Sequence, residues 1–460
     1  MPSINNTLHT AISGLETNSD GMNVIANNIA NANTKSFKGD RAEFEDLLSI
    51  SLSENSQIGR GSRLRNVQTL YNQGTISNTG QITDLAIQGD GFFIVKNDQS
   101  EVKESNGLVY TRQGSFRFDR DGKLTDPSGG RVQGYMTEQG TVNKLSSKLS
   151  DMQIVTNNIP PRETGLINVV ANLDVREKPP VEPFNPARAS ETSNFSTAVT
   201  IFDNFGYGRQ AQVYFSRTPD STKNEWEWHA MVDGNEVAGN TAKDEKGKVI
   251  PAQIGQGKIE FDAQGNPVLP FLTKAGESVQ ADIVGRTDAF DVQFSNGSKP
   301  QKIQFNFGPS IGDDGKVSAQ GSTSIAAKSG VVYHSQDGFE TGYLKSIKIE
   351  IDGSVQGIYT NGLERKLGAV AMASFANNNG LQKMGRNNYA YTPKAGEPRI
   401  GLPQSGSRGS IYSASLEESN VDLAQQFVDM IVTQRAFQAN SKSVTTTDSM
   451  LEEVINLKRN

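Results

Sequence analysis

The sequence predicts a mainly β chain with one α-helix at each terminus, the two helices pairing as a coiled-coil-like domain. Three observations support this fold class. Apolar residues recur every seven positions near both ends of the chain. Asp-Gly dipeptides, which are typical of hairpin turns, occur repeatedly in the central part, and a proline-rich stretch divides this part into two series of strands. We therefore expect an inner β-domain, carried by the helices, with an outer all-β domain inserted into it.

The N-terminal helix is predicted from apolar residues that share one helical face. These residues are Ile4, Leu8, Leu15, Met22 and Ile29. Gly14 and Gly21 interrupt the same segment, and each costs a helix interior about 1 kcal/mol relative to alanine. A helix weakened in this way is expected to form by packing against neighbours, which favours assembly.

The C-terminal helix shows the same seven-residue spacing. Its apolar residues are Leu423, Phe427, Met430, Phe437, Val444 and Leu451. We expect the two sets to form an assembly interface within a terminal domain made of residues 1–30 and 416–460. The alternative is a pair of ordinary amphipathic helices packed on a globular core, and the spacing alone fits both interpretations.

Composition shifts predict the remaining domain boundaries. Residues 178–186 contain four prolines, which stiffen the chain and exclude an interior strand. From Phe195 onward, alternating apolar residues predict a self-contained series of strands. We assign residues 164–326 to the outer β-domain, 71–163 and 327–394 to the inner β-domain, and 31–70 and 395–415 to a connector.

Five Asp-Gly dipeptides are interpreted as hairpin turns. They are Asp121-Gly122, Asp233-Gly234, Asp314-Gly315, Asp337-Gly338 and Asp352-Gly353. The segment from Asp119 to Gly122 begins like a calcium-binding loop, but the glutamate that closes such a loop is missing. No metal and no cofactor are therefore expected.

Composition excludes several classes of protein. The 460 residues suffice for two or three domains, and a net charge of −6 argues against nucleic acid or an anionic membrane as the main partner. With no cysteine, disulfides and thiolate chemistry are impossible. Neither a signal peptide nor a membrane span is recognisable, so we expect no membrane insertion, and a cytoplasmic location or export without a cleaved signal.

Few residues in the sequence indicate catalytic chemistry. The three histidines, His9, His229 and His334, lie far apart in the sequence, without ligand spacing or a neighbouring nucleophile. Trp226 and Trp228 alternate with acidic residues and are interpreted as core of the outer domain. No catalytic residue and no metal ligand is predicted, and the chain is not expected to be an enzyme.

The segment after the first helix resembles the signature of the flagellar rod and hook axial proteins. Its matching residues are Asn31, Asn33, Thr34, Phe37 and Lys38. Ser36 stands where that family usually has glycine, which leaves the local backbone of this turn open. Four further stretches resemble the family in the same order: 85–95, 110–118, 375–381 and 415–442. The inserted domain, including residues 194–203, resembles that of the hook members.

The resemblance implies a structural subunit that polymerises into a flexible tube, a universal joint transmitting torque from rod to filament. The implied partners are further copies of the chain, the distal rod protein, the hook cap protein, the first hook–filament junction protein and the flagellar type III export apparatus. The implied location is the flagellar hook, outside the cell or periplasmic. Alternatives are a distal rod or other axial component, or a secreted β-rich adhesin. Lysinoalanine crosslinks, which some relatives form from cysteine, are excluded here.

Overall fold

The computed structural model describes residues 2–48, 59–97, 107–138, 144–154, 158–219, 223–243, 247–268, 287–308 and 321–459. The chain divides into two compact units. The first contains residues 1–156, 344–358 and 364–460, and the second contains residues 157–343 and 359–363. Strands predominate in both, and the two α-helices of the described residues lie at the chain ends, as predicted.

The chain begins with a long helix followed by ten strands of the first unit. These elements are α1 (Pro2–Ala30), β1 (Asp40–Leu48), β2 (Gly59–Thr69), β3 (Ile76–Asn78), β4 (Leu85–Gln88), β5 (Phe92–Lys96), β6 (Leu108–Thr111), β7 (Arg117–Phe118), β8 (Leu124–Thr125), β9 (Arg131–Thr137) and β10 (Leu145–Asp151). The second unit contributes eight strands: β11 (Leu166–Asn172), β12 (Phe195–Phe202), β13 (Gly208–Arg217), β14 (Asn224–Val232), β15 (Ala252–Phe261), β16 (Phe290–Val292), β17 (Gln301–Asn306) and β18 (Gly330–Gln336).

The chain then returns and ends in a second long helix. These elements are β19 (Leu344–Ile349), β20 (Ser354–Tyr359), β21 (Glu364–Val370), β22 (Met372–Ser374), β23 (Gln382–Gly385), β24 (Asn388–Ala390), β25 (Arg399–Gly401), β26 (Ser410–Ser413), β27 (Ser415–Glu417) and α2 (Leu423–Arg459). None of the described helices combines the length and apolar character needed to cross a membrane.

The large sheet of the first unit has the strand order β19-β20-β21-β9-β5-β6-β24-β23 along its main path. Central strand β5 is apolar throughout its first four residues and is buried on both faces. Because side chains alternate along a strand, Phe93 and Val95 enter one core cluster, whereas Phe92 and Ile94 enter another. The continuous apolar run of this strand is thus explained by burial on two sides.

The second unit consists of two four-stranded sheets, β16-β17-β11-β18 and β12-β13-β14-β15, that share one core. Trp226 and Trp228 lie on the same face of β14 and are fully buried, as the alternation predicted. Glycine makes room for this packing. A Cβ on Gly257 would lie 2.8 Å from Trp228 Nε1, closer than a side chain tolerates.

The Asp-Gly signals were right at two positions and wrong at two. Gly122 and Gly353, both with φ of 75°, turn the chain between paired strands β7 and β8 and between β19 and β20. Asp233 instead caps a 3₁₀ turn, because its carboxylate accepts from the Asn235 backbone. The Asp337 carboxylate accepts from the backbone of the 165–166 segment and ends β18 without a hairpin. Asp314-Gly315 lies outside the described residues.

Both segments assigned to the connector contain strands. Within residues 31–70, β1 and β2 form an antiparallel pair. Within residues 395–415, β25 pairs with β22 and β26 pairs with β4. Next to α2, β27 pairs with β3. The returning chain is therefore hydrogen-bonded to strands from the N-terminal half before α2 begins.

Candidate assembly site at the paired chain ends

Helices α1 and α2 contact each other in antiparallel orientation. Three opposed pairs occur at seven-residue intervals: Gly14 with Asn440, Gly21 with Thr433, and Asn28 with Gln426. A Cβ on Gly14 would lie 2.6 Å from Asn440 Nδ2, and Asn28 Nδ2 donates to Gln426 Oε1 at 2.9 Å. These three contacts inside one subunit are therefore made by small and polar residues.

This contact explains the glycines that weaken α1. Glycine lowers helix propensity, but it allows the side chains of α2 to approach the α1 backbone closely. The buried Asn28 also accepts from the Asp40 backbone at 2.8 Å and donates to the Asp40 carbonyl at 2.7 Å. One side chain thus joins α1, α2 and the start of β1.

The predicted interface residues all lie in the two helices, and most are only half-buried. Those of intermediate exposure are Leu8, Leu15, Met22, Ile29, Met430, Val444 and Leu451. Leu423, Phe427 and Phe437 are 40%, 52% and 37% exposed. The side chain of Ile4 lies outside the described residues. The apolar stripes consequently flank the α1–α2 contact and remain partly open to solvent.

A second apolar surface lies in the first turns of the C-terminal helix and extends from the predicted interface residue Phe427. Val428, Ile431 and Val432 are each more than half exposed, as is Phe427 beside them. At 100° per residue, Val428 and Ile431 lie on the side of α2 opposite Gln426 and Thr433. Phe427 and Val432 lie on its two flanks, and Val432 also lines a cavity bounded by α1 and β1. The four residues are called the outer patch of α2 below. Phe427 belongs to the predicted interface, whereas the other three are apolar residues of α2 that were not predicted to belong to it.

The β1–β2 hairpin packs along α1. Gly61 lies against Ser13, and Thr17 Oγ1 shares a hydrogen bond with Ser62 Oγ at 3.2 Å. Phe44 of β1 covers Gly21. Between α1, β1 and α2 lies a cavity of about 440 Å³, open to solvent on one side. The helix pair is therefore supported by the hairpin over part of its length.

The signature residues form the turn that ends α1. Asn31 Nδ2 donates to the Asn27 carbonyl at 3.0 Å, and Asn31 Oδ1 accepts from Thr34 Oγ1 at 3.1 Å. Asn33 is exposed, whereas Phe37 is buried with the Lys383 ammonium 6.0 Å from its ring centroid. Asn31 and Thr34 thus stabilise this turn, and Phe37 anchors it.

Ser36 adopts the left-handed conformation that glycine usually supplies, with φ of 58°. The Ser36 hydroxyl donates to the Arg112 carbonyl at 2.9 Å, and its backbone N–H donates to the Glu417 carbonyl at 2.8 Å. These two hydrogen bonds offset the strain of a positive φ. The replacement of glycine therefore leaves the turn intact.

Lys38 lies in a fully buried charged cluster. Lys38 Nζ is 2.7 Å from Glu417 Oε1, and both side chains are completely buried. Arg112 Nη1 lies 3.7 Å from Glu417 Oε2. Of these three residues only Lys38 was predicted from the sequence, although Arg112 and Glu417 also occur in stretches that resemble the family.

The histidines are not brought together. His9 lies in α1, His334 in β18 and His229 in β14, where its ring stacks on Phe184 with centroids 3.9 Å apart. Burial lowers the pKa of His229. Among the described residues, no cluster of His, Asp or Glu has the arrangement of a metal site.

Four family models match the chain in sequence order. They are the Flagella basal body rod protein model (residues 8–38), the Flagellar hook protein FlgE/F/G D1 domain (86–169), the Flagellar basal body protein FlaE D2 domain (172–339) and the Flagellar basal body rod FlgEFG protein C-terminal model (412–457). Together with the paired terminal helices, these matches define a flagellar axial protein.

Full-length relatives narrow the assignment. The flagellar hook proteins FlgE of Treponema pallidum and Borreliella burgdorferi are each 32% identical, covering 98% of this chain and 99% of theirs. That of Escherichia coli is 30% identical, covering 97% and 99%. A crystal structure of Helicobacter pylori FlgE2 aligns with a TM-score of 0.48 at 16% identity, covering 74% of this chain and 100% of that one.

The chain belongs to the flagellar hook protein FlgE family. It is a structural subunit of the flagellar hook and not an enzyme.

Proposed function

We propose that the hook polymer is held together by the terminal helices, which pair as a coiled-coil unit in each subunit and pack against helices of neighbouring subunits. The observation that carries this proposal is the outer patch of α2. Its four residues are 52–62% exposed, and Val428 and Ile431 lie on the side of α2 opposite the α1 contact. A helix that is apolar on both sides is normally buried on both sides.

The half-buried stripes extend the proposed interface. Leu15 and Phe437 flank the small and polar contact between α1 and α2 and retain solvent-accessible apolar surface. Burying apolar surface yields about 25 cal/mol per Å². The same gain is repeated in every subunit of a tube, so a modest contact suffices to drive polymerisation.

We also propose how the hook tube moves and which proteins it contacts. The tube bends as a universal joint and transmits torque from rod to filament. Its partners are the distal rod protein, the hook cap protein, the first hook–filament junction protein and the type III export apparatus, which exports the chain without a cleaved signal peptide. Membership of the hook family supports these assignments, and the predicted interface and domain boundaries are part of the same proposal.

The test places a carboxylate in the outer patch. Phe427→Asp should leave the subunit folded, because Phe427 is half exposed, but should bury an unpaired charge in the polymer at a cost of several kcal/mol. We expect the critical concentration for polymerisation, measured by sedimentation, to rise at least about tenfold, equivalent to about 1.4 kcal/mol.

Two matched variants control for shape and for charge. Phe427→Leu keeps an apolar side chain, and Gln382→Asp adds the same charge at an exposed polar position of β23, outside the terminal helices. Both should polymerise close to wild type. A wild-type critical concentration for Phe427→Asp, or an equal rise for Gln382→Asp, would contradict the proposed interface.

A further inference from the structure

A buried charge cluster connects three parts of the first unit that are remote in sequence. Lys38 lies in the turn segment after α1, Arg112 directly follows β6, and Glu417 ends β27 just before α2. Lys38 and Glu417 are 379 residues apart along the chain. Their contact therefore requires both chain ends to be in place on the inner β-domain.

The hydrogen bonds around the cluster run to the backbone of two further segments, one before β3 and one after β4. Glu417 Oε1 accepts from Lys38 Nζ at 2.7 Å and from the Gly74 N–H at 2.9 Å. Lys38 Nζ also donates to the Asn72 carbonyl at 2.8 Å. Arg112 Nη2 donates to the Gly89 carbonyl at 2.9 Å. The cluster thus fixes the approach of both helices, and not merely one side-chain pair.

The cluster contains more positive than negative charge. Two cations share one carboxylate, and all three side chains are 0–2% exposed. Burial lowers the pKa of Lys38 and the nearby Arg112 lowers it further, while Glu417 opposes both effects. A buried cation that loses its partner is strongly disfavoured. Without Glu417, the N-terminal segment therefore cannot keep Lys38 and Arg112 buried together.

We propose that Lys38, Arg112 and Glu417 act as a clamp that closes only when both chain ends are docked, fixing the roots of α1 and α2 on the inner β-domain. In the hook the clamp transmits load from the helices to the β-domain, and this clause alone rests on the proposed function. The three residues position the helices, and the helices make the contacts between subunits.

The test is hydrogen–deuterium exchange of the full-length chain below its critical concentration. Glu417→Gln leaves two buried cations without a carboxylate and should accelerate exchange of the Ser36, Gly74 and Glu418 amides at least tenfold. Lys38→Met retains the Arg112–Glu417 pair and should have a smaller effect.

Lys35→Met is the matched control. Lys35 pairs with Glu418 beside the clamp, but its side chain is 41% exposed. This variant should exchange like wild type, and the Phe92–Lys96 amides should stay protected in all three variants.

Two results would overturn the clamp. One is unchanged exchange in Glu417→Gln. The other is acceleration that spreads equally to Phe92–Lys96, which would make the cluster an ordinary part of the core. The exchange rates are measured on unassembled chain, so they do not depend on polymerisation. A polymerisation result that contradicts the proposed interface would therefore leave the test of the clamp unaffected.

Discussion

Asn440 lies so close to Gly14 that a Cβ on the glycine would stand 2.6 Å from the Asn440 amide nitrogen. One heptad further along, Gly21 faces Thr433, and a Cβ there would be 3.8 Å from Thr433 Cγ2. The packing against α2 is therefore tighter at Gly14 than at Gly21. This relation makes the α1–α2 contact sensitive to a single methyl group.

Gly14→Ala should stabilise the helix pair only when Asn440 is shortened. In wild type the new methyl displaces the Asn440 amide, which offsets the helix-propensity gain of about 1 kcal/mol. In the Asn440→Ala background, the gain should appear in full. A double-mutant cycle, measured as the thermal disassembly midpoint of the polymer at 222 nm, gives the coupling. Additive effects would show that these residues do not meet.

Ser36→Ala should destabilise the turn after α1 more than Ser36→Gly. Both variants lose the hydroxyl hydrogen bond to the Arg112 carbonyl, but only alanine keeps the strain of a positive φ. The expected difference is about 1 kcal/mol. This difference is measured as the free energy of unfolding of the two variants in urea. Hydrogen–deuterium exchange of the neighbouring amides then locates the effect at the turn. Equal stability of Ser36→Ala and Ser36→Gly would show that the positive φ at this position causes no strain.

The regular elements could be predicted because their periods are local. Seven-residue spacing located both helices, and alternation placed Trp226 and Trp228 on one buried face of β14. The Lys38–Glu417 contact could not be predicted, because nothing within a window of sequence indicates a partner 379 residues away. Gly14 was interpreted as a weakness of α1, since its role depends on Asn440 of the other helix.

The turn signals failed for a related reason. Asp-Gly dipeptides are frequent in tight hairpins, but an aspartate can use its carboxylate elsewhere. Asp337 accepts from two backbone N–H groups of a distant segment and pairs with Arg162, whose Nη2 lies 2.9 Å away. Tertiary hydrogen bonds of this kind override the local preference.

Phe305→Ala should destabilise the second unit by about 3–5 kcal/mol, because Phe305 is fully buried beside Trp228 and the substitution leaves a cavity. Phe205→Ala is the matched control. Phe205 is 55% exposed, and its truncation should change stability by less than about 0.5 kcal/mol. The two tryptophans of the chain both lie in this unit, so their fluorescence in guanidinium follows its unfolding directly. Equal stabilities would contradict the assigned core.

The first unit should lose stability above pH 10. Burial raises the pKa values of Tyr71, Tyr110 and Tyr389, that of Tyr110 to about 12 from its ordinary 10.0. Unfolded tyrosines ionise first, so their contribution is complete below pH 10 and is lost as pH rises through the raised pKa values. The lowered pKa of Lys38 acts oppositely, but only below its ordinary 10.5.

Absorbance at 295 nm and thermal unfolding between pH 9 and 12 measure this effect. Tyr389→Phe should reduce the loss of stability, because one buried phenol no longer titrates. Stability that is constant through pH 12, or phenols that all ionise near pH 10 in the folded chain, would show that these rings are not buried as described.

The central claim is that the chain builds a tube through its terminal helices, and negative-stain electron microscopy of concentrated, purified protein tests it most directly. We expect tubes from the wild-type chain and none from Phe427→Asp at the same concentration, with both proteins equally folded by circular dichroism. Unassembled wild-type chain at high concentration, or equally abundant tubes from Phe427→Asp, would contradict it.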